Sequence, residues 1–181
     1  KRFSVRSQQI EVIHGEFGYV DEILRRLQIF EIDGFLLDLG ISNHQLMSAA
    51  RGFSYSREGK LDMRMSASGS ETARDIINQY PEKILADIFY RYGEERHSRR
   101  IAREIARYRE KKSIETTGQL AEIIRRTTPS KWQIKTLSRI FQSVRIYLNS
   151  EISQLANGLI HIIPYLKLSG RIVCISYHSL E

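Results

Sequence analysis

Two short apolar runs, 35-FLL-37 closed by Asp38 and 171-RIVCIS-176, stand near opposite ends of the chain, and most of what separates them has helical spacing. Three apolar residues between Gly34 and an acid are too few for a helix and read as a strand. The second run is rich in β-branched residues and reads the same way. Apolar on both faces, such strands suit the middle of a parallel sheet. A further strand is expected at 10-IEVIH-14, followed by a helix over 19–30 with Val20, Ile23, Leu24 and Leu27 on one face. With the Asp33-Gly34 turn, this order makes a strand–helix–strand unit with a right-handed crossover.

Regular spacing fails between Asn43 and about Gly69, where glycine and serine are frequent. Phe53, Tyr55, Leu61, Met63 and Met65 are too apolar for a solvated linker, so an ordered loop is expected. Helical spacing resumes over 71–79, 82–91, 95–111 and 117–127, with Thr117 as a candidate cap. One long helix is then expected from Leu137 through Phe141, Val144, Leu148, Ile152 and Leu155, ending near Ile163 because of Pro164. Trp132 and the mid-strand Cys174 read as packing residues. The domain reading is a first core part at 1–45, a loop and helical insertion at 46–130, and a second core part at 131–181.

The net charge is +7, and it is concentrated. From Arg91 to Lys112 nine Lys and Arg face four Glu, a net +5 within one segment. A solvated helix with i,i+4 pairs such as Arg100–Glu104 accounts for part of it. A polyanion, nucleic acid above all, accounts for the excess over the whole chain. No run approaches the ~20 apolar residues of a membrane span. The opening KRFSVRSQQ lacks the apolar centre of a secretory signal, and a single cysteine excludes an intramolecular disulfide. A reducing, cytoplasmic location is expected. The five histidines, at 14, 44, 97, 161 and 178, have no close metal-ligand spacing.

The strings 33-DGFLLDLGIS-42, 51-RGFSYSREGKLDMRM-65, 92-YGEER-96, 141-FQSVRIYLNSE-151 and 171-RIVCISYHSLE-181 occur in order over nearly the whole chain. Together they resemble the bacterial ribosomal RNA cytosine-N4 methyltransferase family known as RsmH or MraW. The resemblance implies an α/β fold: a Rossmann-like class I methyltransferase core, truncated on its N-terminal side, with an inserted all-helical subdomain. It implies S-adenosyl-L-methionine as cofactor and N4-methylation of a cytidine in small-subunit (16S) ribosomal RNA near the decoding site. The implied partners are that RNA or the assembling small subunit, with no membrane; a homodimer stays open. Phe17 matches the family's aromatic cofactor contact, and Asp38 and Gln45 its two polar ones.

Two elements of the family pattern have no counterpart here, a glycine-rich loop with Gly-Gly-His and an acid closing the second strand. Both would precede Lys1, so a fragment with weak cofactor binding is expected. Within the chain, Ser-Ser-Pro-Gln-Leu-Asp is replaced by 42-SNHQLM-47, and Pro-Gly-Gly-Arg by Leu168-Ser169-Gly170-Arg171.

Ligands of open parallel sheets sit beyond the carboxyl ends of the strands. The tips beginning at Gly15, Asp38 and Ser176 are therefore expected on one rim, with Asp38 in partly dry surroundings. Methyl transfer from a sulfonium needs alignment above all, plus acceptors for the amine protons. Asp38, His178 and Ser179 are the residues read as catalytic. Ser42, Asn43, Phe53, Arg64, Arg145, Asn149, Tyr177 and His178 are read as substrate-binding, with aromatics stacking on an extruded base and Arg64 on phosphate. A hydrolase is disfavoured because Ser and His are adjacent at 178–179 and no nucleophile elbow is present. A small-molecule methyltransferase is disfavoured by the basic insert. The alternative is a catalytically impaired fragment or relative that binds RNA or the ribosome.

Overall fold

The computed structural model describes residues 10–66 and 69–180. The stretch read above for a secretory signal lies outside them, as do residues 67–68 of the loop and Glu181 of the last motif. Contacts divide the chain into two compact units. One comprises the residues up to Leu37 with Ser153–Val173, and the other Asp38–Ile152 with the residues from Cys174 on.

The larger unit is helical. Its helices are α2 (Asn43–Met47), α3 (Ala73–Gln79), α4 (Glu82–Arg91), α5 (Ser98–Arg109), α6 (Thr117–Thr127) and α7 (Gln133–Leu148). Short polar residues start three of them. Ser42, Thr72 and Thr116 each accept the backbone N–H three residues on, and Gln45, Asp75 and Gln119 reach back to complete capping boxes. The cap of α6 is thus Thr116 and not Thr117, whose hydroxyl instead donates to the Arg57 carbonyl at 2.7 Å. The apolar stripes converge as expected: Leu85, Phe89, Ile101, Ile105, Leu120 and Ile124 are fully buried in one core. Each contributes about 1.5–3 kcal/mol on burial.

The loop read as ordered enters the same core. Leu61 and Met63 are buried against the helices, and Phe53 with them. Gly52 adopts φ +70°, and a Cβ there would lie 2.2 Å from the Lys60 carbonyl oxygen, so only glycine fits this crossing. Trp132, expected to pack, is 50% exposed and carries Lys131 over its ring.

The long helix is two helices. Ser150 takes φ +51°, which ends α7, and α8 (Glu151–Ile162) begins immediately after. The apolar spacing runs through the break unchanged, so periodicity alone did not reveal it. α7 packs on α3, α4 and α6 and belongs to the helical unit, not to a second core part.

Two strands form the sheet seen among the described residues, β1 (Ile32–Asp38) and β2 (Leu166–Ile175). Gly34 lies against Arg171 and the Leu39 N–H donates to the Ile175 carbonyl, so the strands run parallel. The 10–14 run forms no strand; it gains no ladder partner, and Val12 is 91% exposed. The sheet is not covered on both faces as its sequence suggested: Leu37 is 4% exposed but Leu36 64%, and Cys174 is exposed rather than packed. Helix α1 (Val20–Arg26) and the preceding short 3-10 helix Phe17–Tyr19 belong to the smaller unit.

Ser169, inside β2, has φ +72°. This is one of the positions where the family pattern has glycine. A left-handed conformation costs a non-glycine residue about 1–2 kcal/mol. Ser169→Gly is therefore expected to raise stability by about 1 kcal/mol, read as a higher denaturant midpoint at unchanged slope.

Candidate functional site

The end of β1 carries Asp38, whose carboxylate is exposed rather than partly dry, because a two-stranded sheet gives its rim little cover. The Tyr177 hydroxyl, from the segment after β2, donates to Asp38 Oδ1 at 3.2 Å. Gly40, at φ +86°, lies against the Tyr177 ring. The 38 and 176 tips therefore meet, as parallel strands ending together require. His178 is half-buried beside them in sequence, and the Ser179 hydroxyl donates to Glu94 at 3.0 Å. The tip at Gly15 belongs to the other unit. There the Phe17 ring lies on Gly158 of α8, where a Cβ would approach it to 3.0 Å. Gln154 accepts from the Gly18 N–H, and His161 Nδ1 sits 2.8 Å from the Gly18 carbonyl, so α8 fixes the segment that carries Phe17.

Ser42, Asn43 and Gln45 are the cap and first turn of α2. The Gln45 side-chain oxygen accepts from the Ser42 backbone N–H at 2.9 Å, so this residue shapes the turn after Asp38. Asn43 and His44 are exposed.

The 51–65 motif is organised by two residues to which its sequence gave different weight. Met63 is fully buried at φ +58°, a conformation that persists only when its surroundings impose it. Asn149 imposes it from the end of α7: Nδ2 donates to the Met63 carbonyl at 2.9 Å and to the Arg145 carbonyl at 2.8 Å, while Oδ1 accepts from the Met65 N–H at 2.6 Å. Arg51, which the sequence did not single out, donates to the carbonyls of Arg64 and Met65 at 2.7 and 2.9 Å. Arg64 pairs through two nitrogens with Asp62, each at 2.8 Å, and reaches the Gly69 carbonyl. Its hydrogen bonds hold the Asp62 carboxyl below the usual range. Arg145 is similarly held, by both oxygens of Glu151 at 2.8 and 3.0 Å, with both side chains largely buried.

A cavity of about 340 Å³ opens in this unit. Phe53, Tyr55 and Phe141 line it with Ile41, Leu46 and Met47, and Arg57, Gln142 and Arg145 supply polar groups. Tyr55 meets Phe141 edge-on, with centroids 5.8 Å apart. Phe53 is thus both a core residue and part of a cavity wall. Tyr55 and Gln142 lay inside quoted motifs; the signal that marks them, a shared concavity, exists only in three dimensions.

The basic segment is helix α5. Ser98, Ile101, Ala102 and Ile105 face inward, leaving Arg99, Arg100, Arg103 and Arg107 exposed. Glu104 pairs with Arg107 rather than Arg100, and Arg103 lies 3.7 Å from Glu82. Arg109 turns inward to the carbonyls of Ile77 and Tyr80, and desolvation lowers its pKa. Among the described residues no group of three or more His, Cys, Asp or Glu is placed to hold a metal, and no helix is long and apolar enough to cross a membrane.

The family model of the MraW methylases matches residues 1–181, and the chain belongs to that family. It is 49% identical over 173 residues to a ribosomal RNA small subunit methyltransferase H of Deinococcus radiodurans, covering 95% of this chain and 55% of that protein. The protein of the same name from Coprothermobacter proteolyticus is 45% identical over 172 residues, covering 95% and 58%. That from Carboxydothermus hydrogenoformans is 43% identical over 183 residues, covering 100% and 59%. The chain thus spans a little over half the length of these curated relatives.

Asn149→Ala removes three hydrogen bonds and leaves buried backbone groups at Met63 and Met65 without this partner. A loss of about 1–3 kcal/mol in stability is expected. Hydrogen exchange at the Met65 amide should accelerate more than in the core of α5.

Proposed function

We propose that this chain is the part of an S-adenosyl-L-methionine-dependent enzyme that methylates N4 of a cytidine in small-subunit ribosomal RNA, near the decoding site. The observation that carries the reading is family membership across the full chain, joined to the relatives' shared name. In this reading β1 and β2 are strands of a larger Rossmann-like core, into which the helices of residues 73–148 are inserted. Exposed Leu36, Val173 and Ile175 are consistent with further strands or helices against the sheet.

The rim chemistry fits the cofactor. Asp38 is an exposed carboxylate at a strand end, an acceptor for an amino group, and the Tyr177 hydroxyl orients it. Phe17 offers an apolar ring and Gln45 holds the turn that follows Asp38. When bound, the cofactor supplies an activated methyl group on a sulfonium. The chain's own task is alignment, and acceptance of hydrogen bonds from a weakly nucleophilic exocyclic amine. Asp38 is placed for the cofactor's amino or adenine end, with the target amine as its second assignment. His178, Ser179, Ser42 and Asn43 follow the two strand ends and are assigned to the target nucleotide. Arg64 and Asn149 act through the loop they hold.

The outward cations of α5 support RNA as the partner, in a cytoplasmic setting, with or without a second copy of the chain. The same helix also supports a binding-only relative, and Asp38 separates the two. In the full-length protein, Asp38→Ala should lower cofactor affinity or turnover at least about ten-fold, through loss of a charge-assisted contact. Unchanged kinetics reject the assignment. Charge reversal at Arg99, Arg103 and Arg107 should weaken RNA binding and flatten the plot of log affinity against log salt. An unaltered slope would show that these side chains are merely solvated.

A further inference from the structure

The cavity lined by Tyr55, Phe141 and Gln142 is not accounted for by the contacts so far assigned. Its volume, about 340 Å³, is at the small end for ligand pockets and suits one ring system rather than a dinucleotide. Three aromatic residues line it, and the Tyr55–Phe141 edge contact sets one ring against the other. Leu46 and Met47, both exposed, extend the apolar lining. The polar lining distinguishes between ligand types. Arg145 is bound through two nitrogens to Glu151, so its charge is offset within the protein. A phosphate inside the cavity would meet a neutralised cation and an apolar wall. A flat, neutral, hydrogen-bonding ring would meet an aromatic surface and an amide. Gln142 supplies both an acceptor and donors, the set that complements the N4–H, N3 and O2 edge of cytosine. Arg57 is exposed, and a cation at an opening suits the backbone of an RNA strand whose base lies within.

We infer that this cavity receives the extruded cytosine, with Tyr55 as the stacking surface, Gln142 reading the base edge and Arg57 on the adjoining phosphate. The inference rests on the proposed RNA-methylating function and adds to it the site of base recognition.

The test uses the full-length protein and a short single-stranded RNA carrying a fluorescent cytosine analogue. Wild-type protein should change the probe's fluorescence on binding. Tyr55→Leu should abolish that change, and Gln142→Leu should weaken binding of the cytosine-containing RNA at least about ten-fold relative to the same RNA with adenine at that position, the scale of a lost base-edge pairing. S-adenosyl-L-methionine affinity and the thermal midpoint of Gln142→Leu should stay at wild-type values, which separates recognition from folding. If the Gln142→Leu protein binds both RNAs within two-fold of wild type, the assignment is wrong. Methyl transfer to ribosomal RNA is measured in parallel on the wild type. Its absence alongside intact cytosine binding would reject the methylating function and leave the pocket standing. Its presence alongside indifferent variants would do the reverse.

Discussion

The left-handed turn at Met63 is the constraint on which the larger unit depends. A buried, unbranched side chain at positive φ is unfavourable by itself, and it is held by groups distant in sequence. Asn149 brings three hydrogen bonds from the end of α7, and Arg51 adds two more from the loop's start. These contacts make one body of a 15-residue motif that has almost no regular structure of its own. Phe53, Leu61 and Met63 can then fill the helical core, and Tyr55 is left at the cavity. The break at Ser150 serves the same arrangement. It ends α7 where Asn149 must turn toward the loop, and it brings Glu151 back onto Arg145.

What could be read from the sequence follows from what is local. The helix at Glu82–Arg91 has its boundaries written in Pro81 and in its apolar spacing. The end of α8 near Ile163 follows from Pro164. Ordering of the 43–69 loop was legible because Leu61 and Met63 are costly to leave in water. The proximity of Asp38 and Tyr177 was legible too, since residues that close parallel strands share a rim.

Other features depend on partners that no local pattern announces. The 10–14 run has strand-forming residues but no neighbour to pair with, so it stays irregular. Cys174 and Leu36 were expected inside a sheet covered on both faces, and the two strands here lack that cover. The α7–α8 break was masked because Ile152 and Leu155 continue the apolar stripe; Asn149-Ser150 was the available signal, two residues that favour helix ends over interiors. The dual role of Asn149 and Arg51 as loop clamps arises only when residues some 85–100 apart in sequence come together.

The Arg145–Glu151 pair has a consequence for how an RNA strand is handled. Because the guanidinium is balanced from within, contacts made inside the cavity release few counterions, whereas those along α5 release many. Ionic strength should therefore govern how tightly a strand is held and leave its choice of nucleobase almost untouched. Grip and discrimination are separate properties, carried by different side chains of the same helical unit.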